Sequence, residues 1–182
     1  MRVRPAVSAA LGAALLLALP GRAQQSPPPP APAQSPLDVV PDKMPFDVPY
    51  GPPISLGRAQ AVVAAAQAEA VRRGWKLNIA VVDSGGNLVA FVRMDGAQLA
   101  SIAVSEHKAR TAVTFRRETK AFEGAVQGGN VYVLTLDGVI AARGGIPLVE
   151  GGQIVGGVGC SGGTSSQDEV AARAGAAVIG GK

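Results

Sequence analysis

The chain has 182 residues, 47% of them apolar, which is enough for one packed domain and excludes a chain disordered throughout. Its 17 Lys and Arg against 13 Asp and Glu fall to 14 against 13 once Arg2, Arg4 and Arg22 of an N-terminal leader are set aside, so the near-neutral remainder, with no basic run, argues against nucleic acid as a partner. A single cysteine, Cys160, excludes an intramolecular disulfide framework, and with one histidine the chain has too few Cys and His for a structural zinc site of its own.

Residues 1–23 read as a signal peptide: two arginines, an apolar stretch from Ala6 to Leu19, then Gly21-Arg22-Ala23, with cleavage expected after Ala23. An apolar run of that length falls short of the roughly 20 residues that span a bilayer, so export to the periplasm or secretion is expected, with no transmembrane span after leader removal. Residues 24–53 follow as a proline-rich linker, holding 11 of the 14 prolines. Proline lacks the N–H that helices and sheet ladders need, so this stretch predicts an extended tether. Its last part, Phe46 to Gly51, carries enough aromatic character for a second reading, in which it lies against the domain.

From residue 54 to 182 the pattern is that of one domain. Ser55 is a candidate N-cap for a helix from Arg58 to Arg73 that Gly74 ends. Leu77–Val82 and Leu88–Arg93 read as a β-hairpin across the turn residues Asp83 to Asn87. Helices are expected over Gln98–Arg117 and Thr119–Val126, and Val131–Leu134 reads as a short strand or an extended loop. Ile146–Val149 and Gln153–Cys160 form a second hairpin, and a last helix runs over Ser165–Ile179. Hairpin-linked strands with helices grouped between them predict an α+β domain, an antiparallel sheet flanked by helices.

Four blocks carry a resemblance. Arg93-Met94-Asp95-Gly96-Ala97 with Ser101, Lys108-Ala109-Arg110-Thr111-Ala112 with Phe115, Gly144-Gly145-Ile146-Pro147-Leu148, and Val155 to Gly163 with Asp168 stand in the order seen in the GlcG/HbpS family, which the chain resembles from about Ile54 to Gly180. The resemblance implies a profilin-like domain, assembly into homo-oligomers and, in several members, haem as the bound cofactor. Other members are accessory proteins of glycolate or propanediol utilisation.

A haem site needs an axial ligand, an apolar slot and donors for two propionates. His107 is the candidate axial ligand to the iron, on a helix face shared with Ala103, Val104 and Thr111, while Ile102, Ala109 and Val113 mark the expected core side. The competing reading makes His107 a surface or interface residue, which leaves Met44 and Met94 as the strong ligand candidates, with a Lys, a Tyr or a ligand from outside as weaker ones. Thr111 would line the pocket. Arg93 and Lys108, with Arg110, are the cations for the propionates; otherwise they belong to a solvated face or pair with Asp95 or Glu106. Ser161 to Thr164 could bind a carboxylate at the last helix's N-terminus or supply only turns and a cap. No catalytic residue is assigned, since nothing in sequence brings Ser101, His107 and Asp95 together. Cys160 among valines and glycines reads as a small core residue. The expected function is an exported haem-binding protein that binds, buffers or relays haem; the alternative is an accessory or enzymatic protein acting on a small hydroxy acid or diol.

Overall fold

Apolar residues spaced three and four apart bury one stripe of the first helix, α1 (Leu56–Arg72): Ala59, Val62, Ala66 and Ala70. Beyond it, Gly74 adopts φ +71°, while the Gly74 and Trp75 N–H groups reach back to the Val71 and Ala70 carbonyls at 3.0 and 2.9 Å. That is a Schellman ending, and the positive φ accounts for the glycine. Ser55 stands at the N-cap position, but its side chain makes no capping bond. These coordinates come from a computed structural model that describes residues 40–180. The leader and the linker as far as residue 39 lie outside the described residues. The compact unit that holds the fold runs from Asp42 to Lys182.

The strands are β1 (Asn78–Asp83), β2 (Leu88–Arg93), β3 (Gly145–Glu150) and β4 (Gln153–Ser161), all antiparallel to their neighbours, in the order β2-β1-β4-β3. The two central strands are buried on both faces, so β1 reads as a continuous apolar run after Asn78. On one face α1 and the last helix, α4 (Ser165–Gly180), cover Ile79, Val81, Leu148 and Cys160. On the other, α2 (Ser101–Thr114) packs Ala109 and Val113 over Ala80, Val82 and Ile154. The architecture is therefore α+β: a four-strand antiparallel sheet packed against four helices, the remaining one being α3 (Lys120–Gln127). Among the described residues no helix is long and apolar enough to cross a membrane.

Two segments depart from simple expectation. Val131–Thr135, read in sequence as a strand or extended loop, is a 3-10 helix. Phe46 to Ile54 lies against the domain, the second of the two readings of that piece. Gly51 N–H and Ile54 N–H donate to the Ile154 and Val155 carbonyls, and Ile154 N–H donates to Pro49 O, each at 2.8 Å. These bonds fill the side of β4 beyond its last β1 partner, where Gly156 meets Asp83.

Candidate functional site

Helix α2 approaches the sheet where the strands carry glycine. A Cβ on Gly159 would strike the Ser105 carbonyl, one on Gly157 would lie 2.6 Å from Val113 Cγ2, and one on Gly145 would strike the Lys108 carbonyl. This close seating fixes which side of α2 is free. Ser101, Ser105, Lys108, Ala109, Ala112 and Val113 are buried, Ala103, Arg110 and Thr114 are exposed, and His107 is half-buried beside the exposed set. The core side therefore includes the expected Ala109 and Val113, while Ile102 is only half-buried.

Thr111, one turn beyond His107, is fully buried by the segment that follows the 3-10 helix. Its hydroxyl donates to Gly138 O at 2.7 Å and accepts from Ile140 N–H at 3.2 Å. The half-buried Val139, Ile140 and Ala141 are thereby fastened beside the helix face that carries the histidine. The chain reaches this point from the 3-10 helix, on which Val131, Leu134 and the following Leu136 stand exposed at 60%, 58% and 40%. Among the described residues, hydrogen bonds on this face of α2 run through Thr111, Thr114 and the Arg110–Glu106 pair, and none runs through the imidazole.

The other sequence candidates do not gather here. Lys108 is buried at 2% exposure, its ammonium donating to Asp168 Oδ2 at 2.8 Å and to Cys160 O at 3.1 Å. A solvated cation available to a propionate is thus not what this lysine is, and its partner is Asp168 rather than Asp95 or Glu106. The reason is rotation: Lys108 sits one residue past the outward face and points past the end of β4 toward α4, where Gly144 leaves room for it. Arg93 is exposed at the end of β2, in register with Asn78, whose amide donates to Gln98 O ahead of α2. About 15 Å of helix, from Ser101 to Thr111, separates that end from the Thr111 end. Met94 packs toward the α1 and α4 core on the opposite face of the sheet, and Met44 is exposed. Ser101 is buried and accepts from Gln98 Nε2 at 2.6 Å, apart from the outward His107.

The glycine-rich approach to α4 is a cap. Thr164 Oγ1 accepts from Gln167 N–H at 3.3 Å, Gln167 Oε1 accepts from Thr164 N–H at 2.8 Å, and Asp168 Oδ1 takes the Gly163 N–H at 3.0 Å. This reciprocal capping box uses the donors that an anion would need. Cys160 is fully buried, and burial pushes its thiol well above the ordinary range, which removes it as a nucleophile. Among the described residues no three His, Cys, Asp or Glu side chains form a metal-binding group.

A cluster that sequence reading missed joins α3, the segment before β3 and α4. Glu169 meets Arg173 at 2.7 Å, Lys120 at 3.2 Å and Arg143 at 3.4 Å, while Glu123 meets Arg143 at 2.7 Å. Burial pushes both carboxyls up, but the charged hydrogen bonds win and hold each below its ordinary value, from Arg173 and Lys120 on Glu169 and from Arg143 on Glu123. The i,i+4 step from Glu169 to Arg173 is visible in the sequence; the partners on other elements are not.

Comparison with known proteins agrees with this architecture. The chain is 44% identical over 108 residues to Protein GlcG of Escherichia coli K12, covering 59% of this chain and 81% of that protein. An HbpS double mutant from Streptomyces reticuli superposes with a TM-score of 0.66 at 30% identity, over 81% of this chain and 99% of that one. A structure of a PduOC:heme complex gives a TM-score of 0.64 at 28% identity, over 70% and 95% of the two chains. Residues 54–177 match the family model described as haem degrading protein HbpS-like, and the chain therefore belongs to the HbpS-like family.

Proposed function

We propose that this protein is exported and binds haem, buffering or relaying it, with His107 as the axial ligand. The observation that carries the reading is the half-buried His107 on the outward face of α2, beside an apolar segment that Thr111 fastens to the same helix. The residues present fit the group in two respects. A neutral imidazole is the strong iron ligand available to the chain, and Ala103 beside it is small enough to let a flat ring approach. Val139, Ile140 and Leu136 offer the apolar wall, while Arg110, held by Glu106 at 2.8 Å, is the nearest cation on that helix face for a propionate. Thr111 acts here as the fastening of the wall, since both hydrogen-bonding capacities of its hydroxyl are in use. Bound haem would supply the iron chemistry; the chain would supply the ligand, an apolar wall and a cation. The family includes a member solved with haem, and its model's description names haem degradation. Assembly into homo-oligomers belongs to the same reading.

The alternative, chemistry on a small hydroxy acid or diol, finds less support. The two nucleophiles that the sequence offers, Ser101 and Cys160, are both buried, and the Ser101 hydroxyl is engaged by Gln98 Nε2. The test is a hemin titration followed through the Soret band. The wild type is expected to shift and sharpen the band, and His107→Ala to lower affinity at least tenfold. An unchanged band and affinity in His107→Ala would remove the histidine from the site.

A further inference from the structure

The arch of chain that leaves α3 and returns past Thr111 is pinned at both ends and loose between them. At its start the Gly129 and Asn130 N–H groups donate to the Val126 and Ala125 carbonyls at 3.0 and 2.8 Å, closing α3. At its end the Thr111 hydroxyl holds Gly138 O and Ile140 N–H. Between these pins, Val133 N–H to Asn130 O and Leu136 N–H to Val133 O are each 3.4 Å, long for amide–carbonyl pairs. Within residues 131–137 Val133 alone is buried, while Val131, Tyr132, Leu134 and Leu136 stand exposed.

Glycine stands at each pin. Gly129 and Gly138 adopt φ +89° and +78°, and a Cβ added to either would meet nothing within 4 Å. Crowding therefore does not select glycine here, in contrast to Gly145, Gly157 and Gly159, where α2 leaves no room. What the pair supplies is backbone freedom at the two points where the arch turns. Closing loops commonly turn on a few such residues, set apart from the site they cover.

We propose that Asn130–Asp137 is a lid over the haem site, which turns at Gly129 and Gly138 and lays its exposed apolar row on the ring bound at His107. The proposal rests on the haem reading above and adds to it the part that moves. The occupant follows from continuity and charge. The row runs on into Val139 and Ile140, the half-buried wall that Thr111 fastens beside the histidine's helix face, so row and wall form one apolar surface. Four large apolar side chains exposed within six residues make a patch that calls for a cover. A macrocycle is apolar on both faces and confines its charge to the propionates, which suits a row whose single charge, Asp137, lies at the far end. That carboxylate has the wrong sign for an anionic lipid surface, and the arch carries no cation to offset it.

The experiment is hydrogen–deuterium exchange of the purified protein with and without hemin, beside a Soret titration of the same samples. Amides of Val131–Asp137 are expected to exchange fast without hemin and at least about tenfold more slowly with it, while β1 and β4 stay as they were. Leu134→Asn, a change at an exposed site, is expected to keep the melting curve and the Soret position but to speed hemin loss to a scavenging globin by at least about fivefold, because a lid acts mainly on escape. Leu134→Met is expected to restore slow loss. A Soret shift with no added protection over the segment, or hemin loss unchanged in Leu134→Asn, overturns the lid and leaves the haem reading standing. Slow exchange before hemin is added, as a second copy seated on the row would give, overturns the lid as well. The absence of any Soret shift overturns both.

Discussion

Lys108 shows how far a residue's role depends on a partner it cannot reveal in sequence. As one cation in an α2 motif it reads as a solvated charge, yet it is an ion pair with Asp168, 60 positions away, buried on both sides. Such a pair is a weak source of net stability, but removing one member leaves an uncompensated charge in the interior. Lys108→Met is accordingly expected to cost about 3–5 kcal/mol in urea unfolding, while hemin affinity below the melting range stays unchanged, because Lys108 does not share the His107 face. Lost haem binding in a folded Lys108→Met protein would return the lysine to the site. Arg116 gives the complementary case. It holds φ +53° at the position that Gly74 fills after α1, with Arg117 N–H and Arg116 N–H each 3.1 Å from the Ala112 and Val113 carbonyls. Sequence reading ran this helix on to Arg117 because no glycine marks its end. Contacts with the Val48 carbonyl and the Tyr50 ring hold Arg116 in a conformation that costs an L-residue about 1–2 kcal/mol.

At the scale of elements, the helices and strands were legible wherever periodicity and turn residues agreed, as in the β1–β2 hairpin, where Asp83 Oδ1 accepts from the Gly85 and Asn87 N–H groups at 2.8 and 2.9 Å. Val131–Thr135 was not, because its β-branched and aromatic residues have strand propensity but no strand to join. The outer side of β3 is already occupied by Thr119 and blocked by Pro147. The candidate site was legible to the same degree: His107 and Thr111 do share one end of α2, while the segment that covers Thr111 lies 27 or more residues away and bonds through backbone groups that no side-chain pattern announces. What holds that segment's far end is the charged cluster of Glu123, Arg143 and Glu169. Both carboxyls titrate below their ordinary 4.5 in the folded protein, so they bind protons more weakly there than in the unfolded chain. Their contribution to stability is complete above about pH 5 and is lost as pH falls through their folded values. Urea unfolding between pH 6 and pH 3 should show that loss, and Glu169→Gln should flatten it; a variant with the wild-type acid slope would show that the cluster does not carry the linkage.

For the molecule as a whole, the chain before α1 decides where the domain begins. Residues that composition assigns to a linker include a strap that closes two openings in the fold. The backbone of Pro49 and Gly51 completes the side of β4 that β1 leaves free, and the Tyr50 hydroxyl lies 3.1 Å from the Val113 and Thr114 carbonyls, adding to the Arg116 turn at the end of α2. Phe46 adds its ring under Arg117, 3.2 Å from the guanidinium carbon, and Phe122 flanks the same cation at 5.1 Å. At about 1 kcal/mol for each net hydrogen bond and somewhat less for an exposed cation–ring contact, the strap contributes on the order of 3 kcal/mol. Two truncations separate strap from tether. A chain beginning at Asp42 should melt within a degree or two of one beginning at Gln24, since proline-rich composition predicts a tether with few packing contacts. A chain beginning at Ile54 should lose roughly 3 kcal/mol, and with the Tyr50 contact at the end of α2 gone its hemin affinity should fall as well, because His107 and the fastening at Thr111 ride on that helix. Equal melting of all three chains would place the strap outside the cooperative unit and leave α2 to hold its end by the Arg116 turn alone.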